Sequence, residues 1–195
     1  MNHKLAEQNF GKAIMKFSHK FIAKNGKEVY IRNGTASDGS ALLENFNITH
    51  AETDYLLSSP DENQSDAEQE NLFLERKEKS PNEIELIALV DGKIVANAGI
   101  DAIGRYHKVA HRADFGISVL KEYWGLGIGH ALLEICIQCA KDAGYTQLEL
   151  EVVADNARAV SLYKKAGFVA YGRNPKGFRS RTAGYQEVIS MRLEL

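Results

Sequence analysis

The chain has 195 residues, 44% of them apolar and 26% charged, with a formal net charge of −2. That length suits one domain with a full core, and the near-neutral charge argues against a general nucleic-acid binder, whose domains are strongly basic. No apolar run reaches the roughly 18–20 residues of a membrane span, and Met1 to Phe10 lacks a signal peptide's apolar centre, so a cytoplasmic protein is expected.

The first ~20 residues are weakly patterned. Lys16 to Ile31 then reads as a hairpin. Phe17, His19, Phe21 and Ala23 alternate, Asn25-Gly26 is a turn pair, and Val29 and Ile31 alternate again. Thr35 to Asp38 opens a helix through Leu42, Leu43 and Phe46. Ser58 to Ser65 reads as a polar loop. Ser65-Asp-Ala-Glu68 has the spacing of a capping box, and Pro81 ends the helix that follows. Ile84–Val90 and Ile94–Ile100 flank Asp91-Gly92, a hairpin signal. Val109 to Leu120 predicts a further strand. Tyr-Trp-Gly-Leu-Gly-Ile-Gly-His follows at 123–130, and Ala131 to Ala140 predicts a helix. Gln147 to Val153 alternates apolar and acidic residues, a strand with one accessible side. Asn156 opens a short helix ended by Gly167. Phe168–Tyr171 and Val188–Leu193 read as closing strands. The whole is a mixed α/β layer architecture without internal repeats.

Cys136 and Cys139 have C-x-x-C spacing. They sit inside the periodic run Leu132, Leu133, Ile135, Ile137, Ala140, and no second pair completes a zinc site. They read as apolar residues on a buried helix face, and no metal is expected.

The glycines at 125, 127 and 129 lie between a strand and a helix start. Glycine lets another group approach the backbone amides, and a helix start offers unpaired N–H groups and partial positive charge. Together they form a nest for phosphate. A P-loop is excluded because no Gly-Lys-Ser/Thr ends the loop. A dinucleotide fingerprint needs G-x-G-x-x-G after a first strand and an acid about 20 residues on. Glu149 supplies the acid, but the alternating glycines and the preceding hairpins argue against that fold.

A second block, Asp155-Asn-Ala-Arg-Ala-Val-Ser-Leu-Tyr-Lys-Lys-Ala-Gly-Phe168, separates these readings. With the glycine loop it resembles the GNAT (Gcn5-related N-acetyltransferase) superfamily. The match is carried by Asn156, Ala159, Leu162, Tyr163, Gly167 and Phe168, and it extends over 28–195. Residues 1–27 then form an N-terminal extension or hairpin. Glu52-Thr-Asp-Tyr-Leu56 resembles a subgroup near ribosomal-protein and polyamine acetyltransferases.

The resemblance implies a mixed, mostly antiparallel sheet of about seven strands flanked by about four helices. It implies a V-shaped split between two parallel strands, one ending near Val119 and one beginning near Gln147. Acetyl-CoA lies in the split, its pyrophosphate on the amides of Gly125, Leu126, Gly127, Ile128, Gly129 and His130. Its pantetheine arm adds to the strand edge at Ile117 and Val119, and Asn156 bonds that arm or caps its helix. Tyr163 stands near the thioester sulfur and protonates the departing thiolate; a phenol with an ordinary pKa near 10 suits that task. The oxyanion meets a backbone N–H near Val119.

Two positions depart from the family pattern. Trp124 replaces an Arg or Gln beside the loop, and Ala113 stands where a catalytic glutamate is found in several members. Trp124 is expected to pack under the loop. The base candidates are His111, whose pKa suits the role, and Glu149, with Glu151 beside it; Asp114 should face the other way. The acceptor is an amine. Glu44, Glu52 and Asp54 suit a cationic one, whereas a basic loop at Arg173–Arg181 suits an acidic one or the CoA phosphate.

The resulting expectation is direct acetyl transfer from acetyl-CoA to a primary amine in a ternary complex. A non-catalytic acyl-CoA-binding module is the alternative, and a nucleotide-binding redox protein is a third. The N-terminal hairpin edge offers a second copy a place to pair, as a homodimer.

Overall fold

The structure is a computed structural model describing residues 14–195. Residues 1–13, the first part of the expected N-terminal extension, lie outside the described residues. Eight strands form one sheet: β1 (Ser18–Ile22), β2 (Glu28–Asn33), β3 (Ile84–Val90), β4 (Lys93–Ala102), β5 (Arg112–Val119), β6 (Gln147–Val153), β7 (Val169–Ser180) and β8 (Gly184–Glu194). Four α-helices flank them: α1 (Gly39–Glu52), α2 (Ala67–Lys79), α3 (Ile128–Asp142) and α4 (Ala157–Lys165). The strand order is β1-β2-β3-β4-β5-β6-β8-β7. Every neighbouring pair is antiparallel except β5 and β6.

Local chemistry sets most boundaries. Asp91 and Gly92 both take positive φ, 52° and 79°, in the tight turn joining β3 to β4. At α2 the cap sits one residue later than the Ser65–Glu68 spacing suggests. The Asp66 carboxylate accepts the Gln69 amide at 2.9 Å, and the Gln69 side chain accepts the Asp66 amide at 3.1 Å. The Asp–Gln pair makes the same reciprocal box. The division expected at 27/28 falls in the turn between β1 and β2, which share the one sheet.

The basic stretch 173–181 is a correction to the loop reading. It lies mostly in β7, the sheet's outer strand, and the Pro175-Lys-Gly177 irregularity is absorbed as a register shift between Asn174 and Phe178. An edge strand tolerates proline because one side needs no ladder partner.

Two cores sandwich the sheet. On one face Ile84, Leu86, Ala98, Ile100 and Phe115 pack with Leu132, Leu133 and Cys136 of α3. Each fully buried leucine there contributes about 1.5–3 kcal/mol. On the other face Ile87 and Ile94 pack with Leu42 of α1 and Leu74 of α2. Cys136 and Cys139 are free, buried thiols whose pKa is pushed up by desolvation, as an apolar role requires.

Candidate active site

β5 and β6 pair only between Arg112–Asp114 and Gln147–Glu149. Beyond those rungs β5 runs on to Val119 and β6 to Val153 without pairing each other, and the sheet opens. Backbone alternation fixes what lines the opening. Ile103 N donates to Arg112 O, and Leu120 N donates to Val95 O, so the even residues of β5 bond β4. The amides and carbonyls of Phe115, Ile117 and Val119 therefore turn toward the opening. An extended ligand arm has an edge to pair with there.

The glycine loop closes one end. Gly125 and Gly127 take φ of 80° and 98°, which a residue with a Cβ rarely adopts, and a Cβ at either would meet nothing within 4 Å. Both glycines are needed for conformation and leave open space. Gly129 differs: its added Cβ would meet Ile117, Val119 and Leu162 side chains at 3.7, 3.8 and 3.9 Å, ordinary contacts facing the sheet. The first bond into α3 is Ala131 N to Gly127 O at 3.0 Å. The amides of Ile128, Gly129 and His130 precede it and have no intrahelical partner. Among the described residues none accepts from the amides of Gly125, Leu126 or Gly127 either. The Leu126 carbonyl accepts from Lys24 N at 3.3 Å, tying the loop to the β1–β2 turn.

Trp124 is half-buried beside the loop. Its indole N–H donates to Val119 O at 2.7 Å, and the Arg158 guanidinium lies 4.8 Å from the ring centroid. Position 124 supplies no cation itself, but α4 brings one alongside by cation–π stacking. Glu52, read as an acceptor-side acid, instead accepts the Lys121 amide at 2.6 Å just before the loop.

Asn156 caps α4. Its Oδ1 accepts the Ala159 amide at 3.2 Å, and its Nδ2 donates to none of the described residues. Tyr163 lies on the same helix, 6% exposed, edge-on to Phe115 at 6.2 Å and tilted against Phe168 at 5.8 Å. Its hydroxyl has no protein partner among the described residues and keeps contact with solvent. Desolvation raises its pKa, so the phenol is neutral and proton-bearing at physiological pH.

The base candidates separate. His111 is exposed, in the turn before β5, and its carbonyl accepts from Thr146 N and Gln147 N at 3.0 and 3.2 Å. Strand alternation does not govern it, and it lies roughly 25 Å along the chain from Val119 at about 3.3 Å per residue. Glu149 is buried with both oxygens engaged: Arg112 Nε and Nη2 donate at 2.5 and 2.7 Å, and the Tyr171 hydroxyl at 3.0 Å. Arg112 holds its carboxyl below the usual range, so Glu149 is a weak proton acceptor. Asp114 lies in register between Asp101 of β4 and Glu149 of β6. Desolvation, then repulsion from Asp101, Glu149 and Glu151, pushes its carboxyl up to about 6.

The cations at 173–181 all have protein partners. Arg173 meets Glu187 at 3.3 Å, Lys176 and Arg179 lie over the Tyr185 ring, and Arg181 pairs with Asp61 at 2.8 Å and Glu62 at 3.4 Å. Asp54 accepts from Ser180 and Thr182. The α1–α2 connection is thus pinned to the β7–β8 tip. Among the described residues no cluster could hold a metal ion, and no helix is long and apolar enough to cross a membrane.

A splayed parallel pair, a glycine loop feeding free helix amides and a tyrosine on the following helix define a class of coenzyme-dependent acyl transferases. The Acetyltransferase (GNAT) family model matches residues 48–168, and the chain belongs to that family. It is similar to the L-amino acid N-acetyltransferase AaaT of Escherichia coli K12, 32% identical over 63% of this chain and 75% of that one. It also resembles the ribosomal protein bS18-alanine N-acetyltransferase of the same organism, 37% identical over 42% of this chain and 54% of that one. A GNAT acetyltransferase structure from Streptococcus pneumoniae superposes with TM-score 0.82 at 32% identity, covering 86% of this chain and 99% of that one. The yncA structure from Salmonella typhimurium, solved with acetyl-CoA, shares the fold at TM-score 0.75 and 18% identity, over 86% and 94% of the chains.

Proposed function

We propose that this chain transfers acetyl from acetyl-CoA to a primary amine by direct attack in a ternary complex. The observation that carries the reading is the opening past Asp114 and Glu149, with free loop and helix amides at one end and Tyr163 of α4 packed edge-on to Phe115 of β5 beside it. The donor's pyrophosphate takes the amides of Gly125 to His130, where the helix dipole favours negative charge. The pantetheine arm pairs with the β5 edge at Ile117 and Val119, and the Asn156 Nδ2 donates to it.

The amine attacks the thioester carbonyl, and the carbon–sulfur bond breaks as the tetrahedral intermediate collapses. Tyr163 gives its proton to the departing thiolate and regains one from the nitrogen through solvent. No cysteine stands ready for a covalent route, since both thiols are buried in α3 with raised pKa. The free thiols also suit a reducing compartment such as the cytoplasm. The acid-bearing face, with Asp114, Glu149 and Glu151 near the opening and the nearby cations already paired, favours a cationic acceptor over an acidic one.

Thiol release from acetyl-CoA across amino-acid amides, polyamines and N-terminal peptides tests the assignment. Amine-dependent release supports it. Tight acetyl-CoA binding with no release for any primary amine makes the chain a binding module instead.

A further inference from the structure

The sheet carries a niche beside the opening that the glycine loop and Tyr163 do not use. Glu85, Gly99 and Gly116 occupy one register row across β3, β4 and β5. Residues in one row project to the same face, here the face packed by α1 and α2. Gly99 leaves its place to a neighbour: an added Cβ would sit 2.2 Å from Glu85 Oε2, so the carboxylate lies where that side chain would be. Gly116 leaves its place empty, with nothing within 4 Å of an added Cβ, and the residue is exposed. The floor of the niche is thus two glycines, and its wall is a carboxylate.

Glu85 is 6% exposed and held by one bond. Asn97 Nδ2 donates to Oε1 at 2.8 Å, and Ser118 Oγ donates to Asn97 Oδ1 at 2.6 Å. Oε2 has no hydrogen-bond partner among the described residues and keeps contact with solvent. Asp114 and Ser118 flank Gly116 on β5, and Phe115 between them turns to the opposite face, where it touches Tyr163. A proton donor and a free carboxylate oxygen therefore approach the mouth of the split from opposite faces of the sheet.

We propose that the space over Gly116 seats the acceptor's ammonium group and that Glu85 is the catalytic residue that takes its proton. The ammonium donates to Glu85 Oε2, and Asp114 adds attraction from the β5 side. One proton passes from nitrogen to Glu85 and on to solvent. The freed lone pair attacks the thioester carbon, which lies at the split within reach of both faces. The second proton leaves nitrogen as the intermediate collapses and balances the one Tyr163 gives to sulfur. The net products are the amide, the free thiol and one proton. This assignment rests on the acetyltransferase reading above but names a base that reading left open.

The surroundings fit a base that works near neutrality. Burial raises the Glu85 carboxyl to about 7, against the pull of Asn97 and of Lys77 on α2. Asp101 on β4 and Glu70 on α2 push it further up, and Cys136 on α3 is the other titratable group coupled to it. A base whose pKa is near the working pH is favoured.

Two measurements on the full chain test the proposal. The first follows thiol release with L-alanine amide from pH 5.5 to 9. Wild type should gain rate as Glu85 ionises near pH 7. Glu85→Gln, which keeps an oxygen for Asn97, should lose about a hundredfold in kcat, within the usual range for a removed base, and lose that acidic limb. Asp114→Asn should raise KM for the amine and keep the limb. Loss of the limb in Asp114→Asn, with the limb kept in Glu85→Gln, overturns the assignment.

The second measurement follows the Glu85 carboxyl by carbon NMR and needs no turnover. L-alanine amide should lower its titration midpoint in wild type but not in Gly116→Val, whose side chain fills the niche. No shift in wild type, or the same shift in both, also overturns it. A shift confined to wild type, with no thiol release, would keep the niche and sink the acetyltransferase reading.

Discussion

Arg112 on β5 grips Glu149 on β6 through two parallel bonds, at 2.5 and 2.7 Å, beside the last rungs that hold the two strands together. Glu149 is buried and Arg112 a third exposed, so removing the guanidinium leaves a buried carboxylate with one hydrogen bond, from Tyr171, and the weaker pull of Arg192 across β8. Arg112→Ala should cost about 1–3 kcal/mol, the usual penalty for an orphaned buried partner. The Glu149 pKa is lowered in the folded state, so its stabilisation is present above the unfolded value near 4.3 and fades as pH falls through the folded one. Urea melts from pH 7 to 3 should show a shallower acid limb in the variant. An unchanged limb would mean the pair does not carry it.

Asp38 supplies a second acid-sensitive contact. Arg32 donates to both its oxygens at 2.7 Å, and the Thr35 amide and hydroxyl donate at 2.8 Å, holding its carboxyl at about 2. A lowered pKa stabilises above about 3.9 and is lost as pH falls toward 2. Asp38→Asn should therefore lose on the order of 2 kcal/mol at pH 7 and only about a third of that at pH 2.5, just above the folded value. Equal losses at the two pH values would show the contribution is not electrostatic.

The glycines of the loop should not be equivalent. Gly127→Val forces a β-branched residue to φ of 98°, a strain of about 1–2 kcal/mol, and places methyl groups in the open space proposed for the phosphate. It should weaken acetyl-CoA binding by more than it lowers thermal stability. Gly129→Ala makes only ordinary contacts and should leave binding within a few-fold of wild type. Calorimetry and melting curves read both, and equal effects at 127 and 129 would contradict the seat.

Tyr163→Phe removes an oxygen that bonds no described residue. Folding should be unchanged within about 0.5 kcal/mol, and kcat should fall by about 10²-fold, the low end for a removed proton donor. Thiol release at saturating substrates measures it. A large drop in melting temperature would assign the hydroxyl a packing role instead.

Asn156 combines two roles that substitutions can separate. Asn156→Asp keeps an oxygen for the Ala159 amide but loses the Nδ2 donor. Asn156→Ala loses both and should cost a further ~1 kcal/mol of stability for the cap. Both variants should bind acetyl-CoA more weakly. If only the alanine variant does, the side chain acts as a cap alone.

Much of this molecule is legible in the sequence because its signals are local. Asn25-Gly26, Asp91-Gly92, the alternation of 147–153 and the helical period of 131–140 each depend on neighbours in the chain, and each element forms there. The glycine run needs only positive φ at 125 and 127 to announce a phosphate seat. The family follows from that run and from Asn156 to Phe168, because side-chain types at fixed spacing survive without coordinates.

What the chain order hid was the pairing of distant strands. Proline and glycine at 175–177 read as loop until β7 proved to be an edge, where a lost ladder bond costs little. The chain order gives no partner to the cations beside them; Asp61, Glu62 and Glu187 meet Arg181 and Arg173 only in the fold. Alternation alone offers Glu149 as a base; Arg112, distant in sequence, donates to both its oxygens and lowers its pKa. Glu85 was visible as the lone charge in the run Ile84–Val90, a signal left unread. Its meaning depends on Gly99 and Gly116 standing beside it in register. Local spacing therefore decided which cofactor class the chain suits. Only the sheet's register decided which carboxylate is paired and which keeps an unbonded oxygen, because charge and solvation are set by neighbours far away in sequence.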